Sequence, residues 1–329
     1  MSEPALHAVA TELQQAALAA VEPAAAVRRH VRREKDALIV AGQRYDLRAY
    51  ERVFVVGGGK AAVPMAAAMA DILGGRLAEG VIVTKYGHTI LQSPIARLSA
   101  REVPNLQIIE AGHPVPDENS VRGAQAIADC VAPAAERDLV LGLISGGGSA
   151  LLTLPGPGLD LAGLQSLTDA LLRSGATINE LNTVRKHWSR IKGGHLARLV
   201  APARLVTLVL SDVVGDPLDV IASGPTVPDP TTVADARAVL ERYENPWGFG
   251  KPQGFYKQVF RETPKPGDPI FERVQNVIVG SNRLAALAAV ERARQLGFNA
   301  LLLSTYVEGE AREVARVAAA LAKGIRAHG

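Results

Sequence analysis

Two glycine-rich segments carry residues that could act on negatively charged groups. In the first, Gly57, Gly58 and Gly59 precede Lys60 and an Ala- and Met-rich segment of helical spacing. Successive glycines let backbone amides converge on an anion at a helix N-terminus. Because the helix dipole disfavours a lysine there, a bound phosphate would explain Lys60. A tight turn with a solvent-exposed lysine is the simpler alternative, since glycine turns are common.

The second glycine-rich segment has a hydroxyl side chain at each end. Ser145 and Ser149 flank the glycines Gly146, Gly147 and Gly148. Such a turn can surround a phosphate or a carboxylate without any charged side chain. One glycine turn is weak evidence for a binding site, but two that follow strands of the same sheet favour one.

Polar residues also follow two later apolar segments. Asp212 and Asp216 come after Leu205–Leu210. A carboxylate at the end of a buried strand can hold Mg²⁺ or accept a proton from a substrate hydroxyl. An Asx-turn, in which the carboxylate binds its own backbone, is the alternative for both residues. Ser281 and Asn282 follow Val274–Val279 in the same way, and capping of the next helix by Ser281 or Asn282 is the favoured explanation there.

Arg185 and Lys192 lie in a basic segment, Ile178–Leu199. Its polar and apolar residues repeat at helical spacing, and it contains a single acidic residue. A solvated basic helix face is the usual explanation of such a run. The Gly193-Gly194 pair interrupts the helix, however, and indicates close approach to a ligand.

Short apolar runs alternate with longer segments of helical period along most of the chain. This alternation predicts a three-layer α/β/α, Rossmann-like fold with a mostly parallel sheet. The predicted strands are Arg52–Val56, Gly80–Thr84, Leu106–Glu110, Leu139–Ile144, Leu205–Leu210, Val274–Val279 and Ala300–Ser304. Because ligands bind beyond the carboxyl ends of the strands in such sheets, we expect the polar residues that follow these strands to meet at one edge.

The same pattern divides the chain into two parts. Residues 1–243 are predicted to form the Rossmann-like domain with the glycine loops. Residues 244–269 are rich in Gly, Pro and aromatic residues without periodicity, which is typical of a linker or hinge. Residues 270–329 have the pattern strand, helix, strand, helix, and are predicted to begin a second, incomplete α/β domain.

Composition argues against several classes of protein. The formal net charge is only +3, so nucleic acid is not an expected partner. A single cysteine, Cys130, precludes an intramolecular disulfide and is typical of a reducing compartment, so a cytoplasmic protein is expected. No apolar run approaches the ~20 residues of a membrane-spanning helix. The sequence does not determine the oligomeric state, and a homodimer stays open.

The first glycine segment is compatible with more than one kind of nucleotide site. A Walker A motif requires Ser or Thr after its lysine, whereas Ala61 follows Lys60 here. The pattern Gly57-x-Gly59-x-x-Ala62 satisfies the dinucleotide-binding fingerprint, which also needs an acidic residue at the end of the second strand. Thr84–His88 occupies that position and contains no acid. NAD is therefore disfavoured, whereas NADP stays open.

Nine short motifs are distributed along nearly the whole chain. They are Gly57–Ala61, Val83–His88, Glu110–Asp117, Ser145–Ala150, Asn182–His187, Lys192–Gly194, Ser211–Asp216, Ser223–Thr226 and Gly280–Asn282. Together, and in this order, they resemble the glycerate 2-kinase family, also called the MOFRL or class II bacterial glycerate kinase family.

The resemblance implies Mg²⁺-dependent transfer of the γ-phosphoryl group of ATP to the C2 hydroxyl of D-glycerate, giving 2-phosphoglycerate, in a cleft between two domains. It implies that Lys60 neutralises phosphate charge and that the Ser145–Ser149 segment binds a phosphate or the glycerate carboxylate. Arg185 and Lys192 would clamp an anion. Asp212 would act as a metal ligand or as a base, with Asp216 as a second candidate metal ligand.

The chain departs from the family in one respect. Family members continue into a C-terminal portion with Gly-Gly-Glu and Gly-Gly-Arg-Asn motifs, and neither motif occurs here. We therefore expect a truncated form with weak ligand binding and slow turnover. Two other functions stay open: an NAD(P)H-dependent hydroxypyruvate reductase, a name that relatives have carried, and a non-catalytic protein that binds an anion or a nucleotide.

Overall fold

The N-terminal region forms two helices and a small antiparallel sheet. In the computed structural model, residues 3–89, 103, 105–243 and 260–328 are described. The elements are helices α1 (Glu3–Ala20) and α2 (Pro23–His30), followed by strands β1 (Val31–Glu34), β2 (Ala37–Val40) and β3 (Gln43–Asp46). Both strand pairs, β1–β2 and β2–β3, are antiparallel. The sequence pattern did not predict this sheet, because strands of four residues are too short to show a period.

The main sheet has six strands, all parallel to their neighbours. They are β4 (Arg52–Gly58), β5 (Leu77–Lys85), β6 (Leu106–Ala111), β7 (Asp138–Ser145), β8 (Arg204–Leu210) and β9 (Val274–Gly280). Six of the seven predicted strands are thus confirmed, together with the α/β fold class. Strands β4, β7 and β8 are almost wholly buried, because helices cover both faces of a parallel sheet.

The strand order places a crevice at the centre of the main sheet. The order is β6-β5-β4-β7-β8-β9, so the chain builds outward from β4 to β6, returns beside β4 as β7, and then builds outward to β9. This is the doubly wound, Rossmann-type order. Ligands in such sheets bind where the direction of building reverses, beyond the carboxyl ends of the strands. The segments that follow β4 and β7 flank that point.

Helices complete the three layers. Those after β4 are α3 (Ala62–Leu73), α4 (Glu118–Val131), α5 (Gly148–Leu151), α6 (Leu161–Arg173), α7 (Ile178–His187), α8 (His195–Val200), α9 (Val233–Arg242), α10 (Asn282–Gln295) and α11 (Ala311–His328). Helices α2 and α3 pack on one face of the main sheet, while α4, α5 and α8 pack on the other. A smaller apolar cluster joins α6, α7, α9 and Phe260. None of the described helices has the length and apolar character needed to cross a membrane.

Two expectations about the C-terminal region differ from the structure. Strand β9, expected to begin a second domain, pairs with β8 and completes the main sheet. Residues 300–304, predicted as a strand, have no strand conformation. Leu301 and Leu303 there are 78% and 65% exposed, and an apolar run forms a strand only beside another strand that satisfies its backbone groups. The division into two domains stays a prediction, because residues 244–259 of the predicted linker lie outside the described residues.

Candidate active site

The segments that follow β4, β7 and β8 meet at one edge of the main sheet. Lys60 follows β4, the Ser145–Ser149 loop begins with the last residue of β7, and Asp212 follows β8. The Lys60 ammonium lies 3.6 Å from a carboxylate oxygen of Asp212. That oxygen also lies 2.0 Å from the position that a Cβ on Gly146 would occupy. Three of the predicted site elements are therefore adjacent.

The Ser145–Ser149 loop has backbone donors that the protein does not use. No described residue accepts a hydrogen bond from the amides of Gly146, Gly147, Gly148 or Ser149. The φ of Gly147 is +86°, in the left-handed region that glycine adopts without strain. The aliphatic part of the Lys60 side chain packs against Gly147, and its Cγ lies 3.2 Å from the ideal Cβ position of that glycine. The four amides and the ammonium form a set of donors suited to the oxygens of a phosphate or a carboxylate.

The Gly57–Gly59 segment does not provide the amide cradle expected of it. Its first two residues belong to β4 and pair with both neighbouring strands. The next three amides donate within the protein: Gly59 to the Val83 carbonyl, Lys60 to the Gly146 carbonyl, and Ala61 to the Ser145 hydroxyl. The segment therefore contributes the Lys60 side chain and close packing of backbone, and the unused amides described above belong to the Ser145–Ser149 loop.

Two buried cations hold the Ser145–Ser149 loop through its backbone carbonyls. Lys192 Nζ donates to the carbonyl oxygens of Ser149 at 2.7 Å and Leu152 at 2.5 Å, and Arg185 Nη2 donates to that of Ser149 at 3.3 Å. Lys192 is 2% exposed and Arg185 is 8% exposed. Burial lowers the pKa of Arg185, and it lowers the pKa of Lys192 well below its usual value. The positive charge of Arg185 lowers the pKa of Lys192 further. Lys192 thus supports the loop.

A turn in unfavourable backbone conformation supports the loop from the side of β8. All three residues of Ala222–Gly224 have φ between 52° and 61°, a region that costs energy for Ala and Ser and is concentrated at functional sites. The Ser223 hydroxyl lies 2.9 Å from that of Ser149 and donates to Asn182 at 3.2 Å. The amides of Gly193-Gly194 donate to carbonyls of this turn. Close approach at these glycines is therefore to protein backbone.

His113, to which the sequence motifs assigned no role, lies beside the Ser145–Ser149 loop. It lies in the segment after β6, and its Nε2 is 3.0 Å from the ideal Cβ position of Gly147. Burial lowers the pKa of His113, and the charges of Lys60 and Lys85 lower it further. The imidazole is therefore neutral near pH 7 and able to accept a proton. Its place after a strand of the main sheet is the signal that could have identified it.

Asp216 and Asn282 lie further along the same edge. Asp216 is half-buried with φ of +56°, and Asn282 is exposed. Ser281 caps α10 by accepting a hydrogen bond from the Leu284 amide, so the capping explanation of this segment is confirmed. Within the described ranges, no group of three or more His, Cys, Asp or Glu is arranged to hold a metal ion.

Much of the basic segment is buried and does not form a solvated helix face. Helix α7 ends at His187, and a turn connects it to α8. Lys186 is 3% exposed and lies 3.4 Å from the fully buried carboxylate of Asp229. Together with the burial of Arg185 and Lys192, this shows that these three cations face the interior, where they bind carbonyls and a carboxylate. Arg190 and Arg198 are exposed. The usual explanation of the pattern is therefore wrong for the three buried residues.

His195, at the start of α8, gives the protein an acid-sensitive element. Burial, with the charge of Arg198, lowers the pKa of His195 from 6.5 to about 4. Since the unfolded chain binds this proton at higher pH than the folded chain, the stabilisation present above pH 6.5 declines as the pH falls toward 4. We expect the decline to be about 3 kcal/mol in free energy of unfolding. Urea unfolding across this pH range should show a shallower decline for His195→Gln, and an equal decline would contradict the assignment.

Comparison with known proteins assigns the family. The family model "Domain of unknown function (DUF4147)" matches residues 9–247. A D-glycerate 2-kinase from Thermotoga maritima is 44% identical over 276 residues, which are 84% of this chain and 62% of that protein. A putative hydroxypyruvate reductase from Agrobacterium vitis is 45% identical over 280 residues, 84% of this chain and 60% of that protein. The chain thus spans about three fifths of the length of these curated relatives.

A solved structure agrees with the sequence comparisons. The crystal structure of a glycerate kinase from Thermotoga maritima superposes with a TM-score of 0.81 and 39% sequence identity, covering 98% of this chain and 70% of that one. The family model covers most of this chain, and the fold and the sequence of a glycerate kinase match nearly all of it. The chain therefore belongs to the DUF4147 family of glycerate 2-kinase homologues.

Proposed function

We propose that the protein phosphorylates D-glycerate at its C2 hydroxyl, with ATP as the donor and 2-phosphoglycerate as the product. The observation that carries this proposal is the set of unused amides in the Ser145–Ser149 loop beside the ammonium of Lys60. Phosphoryl transfer requires mainly positioning and neutralisation of charge, which these groups can supply. The relatives named as glycerate kinases support the choice of acceptor.

Each group of the site has a part in the proposed reaction. The loop amides bind the oxygens of the transferring phosphoryl group, and Lys60 offsets their negative charge. The C2 hydroxyl oxygen of glycerate forms a bond to phosphorus while the bond from phosphorus to the ADP oxygen breaks. His113, neutral near pH 7 and adjacent to the loop, accepts the hydroxyl proton. Lys192 and Arg185 keep the loop in place through the Ser149 carbonyl.

Mg²⁺ fits the donor chemistry of this edge. Magnesium sites in phosphoryl-transfer enzymes commonly use one or two carboxylates with substrate phosphates and waters. Asp212, 53% exposed and next to Lys60, is a carboxylate of this kind, and Asp216 is the next one along the same segment. Asp212 would hold the ion, which would neutralise phosphate charge when bound.

Asp212→Asn is expected to raise the Mg²⁺ concentration needed for half-maximal activity about tenfold or more, because an amide is a weaker magnesium ligand than a carboxylate. Initial rates measured over a range of Mg²⁺ concentrations test this. Asp216→Asn is a matched control that shows whether the second carboxylate contributes. A lower kcat with an unchanged Mg²⁺ requirement would contradict the ligand role and assign Asp212 as the base instead.

The backbone amides that follow β4 bear on the reductase alternative. A dinucleotide pyrophosphate binds amides at the N-terminus of the helix after the first strand, here α3. The amides of Gly59, Lys60 and Ala61 already donate within the protein. This supports the kinase, even though a relative carries the name putative hydroxypyruvate reductase. Oxidation of NADPH with hydroxypyruvate, without ATP, would favour the reductase.

The deciding experiment for the proposed function is identification of the product. We expect NMR of a reaction with ATP, Mg²⁺ and D-glycerate to show 2-phosphoglycerate and stoichiometric ADP. Thermal stabilisation by ATP without any product would instead identify a binding protein. Because the chain spans about three fifths of its curated relatives, the activity, ATP and Mg²⁺ are proposals for this chain. The cytoplasmic location and the homodimer stay predictions.

A further inference from the structure

A second pocket lies beside the basic segment and shares no lining residue with the candidate active site. Its volume is ≈ 180 Å³. The polar residues that line it include His187, Arg190, His195, Arg198 and Arg261, which come from α7, α8, the turn between them and the segment after residue 259. None of the residues that line the pocket is acidic. Its chemistry is therefore that of an anion site.

The three arginines of this pocket are only partly neutralised. Arg198 lies 4.0 Å from the Asp268 carboxylate and 3.5 Å from the carbonyl of Glu262. Arg190 donates to the uncharged Gln125 at 3.3 Å. Among the described residues, neither Arg190 nor Arg261 forms an ion pair.

Besides Asp268, a second carboxylate approaches the pocket from its side. It is that of Glu262, which lies 3.2 Å from His187 Nε2 and 2.6 Å from the Lys265 ammonium. Lys265 and His187 bind this carboxylate, and Asp268 lies at the edge of ion-pair distance from Arg198 alone. The positive charge of the three arginines is therefore not fully neutralised.

His195 supplies a buried donor without an acceptor. The residue is 8% exposed, and its Nδ1 lies 3.5 Å from Arg198 Nη1. A guanidinium can only donate, so Nδ1 is the acceptor and the hydrogen of the neutral ring resides on Nε2. Nε2 has no hydrogen-bond partner in the part of the chain that the structure describes. Buried donors are nearly always paired, so an unpaired one in a basic pocket indicates a missing acceptor.

We propose that this pocket binds a phosphate group, either as inorganic phosphate or as the phosphate end of a small ester. The phosphate oxygens accept hydrogen bonds from His195 Nε2 and from the guanidinium groups of Arg198, Arg190 and Arg261. The site is separate from the one that carries the proposed kinase activity.

The pocket is connected to the active-site loop through a short segment. Ser189 lines the pocket, and its hydroxyl accepts hydrogen bonds from the amides of Ile191 and Lys192. Lys192 in turn binds the Ser149 carbonyl. A phosphate in the pocket is thus bound to the same segment that positions the loop.

Titration of the full chain with phosphate, followed by NMR of protein labelled with ¹⁵N-histidine, tests this proposal. Inorganic phosphate and glycerol 3-phosphate are the two probes, and sodium chloride at equal ionic strength is the reference. We expect the His195 Nε2 resonance to shift saturably with at least one probe and not with chloride. A saturable shift with only one of them identifies which source of the phosphate group the pocket accepts. No saturable shift of His195 with either probe would overturn the proposal.

Variants of exposed arginines separate this pocket from other anion sites. Arg198→Gln and Arg261→Gln are each expected to weaken phosphate binding at His195 about tenfold or more, because each removes a charge-assisted hydrogen bond. Arg294→Gln removes an exposed charge from α10, outside the pocket, and should leave the affinity unchanged. Lys60→Met should also leave it unchanged, which keeps this result independent of the kinase proposal. Equal affinity in all four variants would overturn the site.

Discussion

Lys60→Met is expected to lower kcat for ATP-dependent phosphorylation of glycerate by about 10²- to 10³-fold, the loss typical of removing one group that stabilises transition-state charge. Methionine keeps much of the apolar stem and removes the ammonium. Lys60 and Asp212 are 40% and 53% exposed, and such ion pairs contribute at most about 1 kcal/mol to stability. The fold should therefore persist. ADP release in the presence of glycerate and the midpoint of urea unfolding measure the two effects.

A matched variant separates the position of Lys60 from the loss of charge alone. Lys323 is exposed on α11 and contributes nothing to the edge of the sheet. Lys323→Met removes the same charge with the same replacement, and its kcat should equal that of the unsubstituted protein. If Lys60→Met turned over as fast as Lys323→Met, the ammonium would have no part in the reaction.

Gly57→Ala is expected to lower the free energy of unfolding by about 3 kcal/mol. An ideal Cβ on Gly57 would lie 2.0 Å from the carbonyl oxygen of Leu143 and 2.7 Å from its carbonyl carbon, both in the backbone of β7. Backbone at the centre of a packed sheet cannot move aside as an exposed side chain can, so β4 and β7 would have to separate. Urea denaturation measures the change.

Gly75→Ala is the control for this prediction. An added Cβ there meets no atom within 4 Å. Its free energy of unfolding should therefore lie within about 0.5 kcal/mol of the original. A Gly57→Ala protein as stable as Gly75→Ala would mean that β4 and β7 do not approach as closely as described.

The six strands of the main sheet and the place of the candidate site were predictable from the sequence. Strands such as β4 and β7 are buried on both faces, so each has a nearly unbroken apolar sequence. Such a run can be recognised from the local sequence alone. The position of Lys60, Asp212 and the Ser145–Ser149 loop then followed from a general property of parallel sheets, which gather their carboxyl ends at one edge. No side-chain contact had to be known for that prediction.

Which donors remain free at that edge could not be predicted. The two glycine segments have nearly the same composition, yet the amides after Gly58 are used by the protein and those of the Ser145–Ser149 loop are not. The difference arises because the Ser145–Ser149 loop itself accepts two of these hydrogen bonds. The Gly146 carbonyl accepts one from the Lys60 amide, and the Ser145 hydroxyl accepts one from the Ala61 amide. Such pairing between segments 84 residues apart has no local signal.

The burial of Lys192 and Arg185 could not be predicted from the sequence for a similar reason. A helical repeat of polar residues is the same whether that face meets water or the carbonyls of another loop. Only the tertiary contact with Ser149 and Leu152 distinguishes the two cases. The three-stranded sheet of residues 31–46 was missed because its strands are short, and its turns contain no Asn-Gly or Asp-Gly pair.

The role of the Ser145–Ser149 loop as a phosphate cradle is tested most directly by amide ¹H–¹⁵N resonances recorded while ATP and Mg²⁺ are added. We predict large, saturable shifts at Gly146–Ser149, whose amides have no acceptor among the described residues. Much smaller shifts are expected at Gly59 and Ala61, whose amides donate within the protein. Large shifts at Gly59 and Ala61, with the resonances of Gly146–Ser149 unmoved, would contradict this assignment.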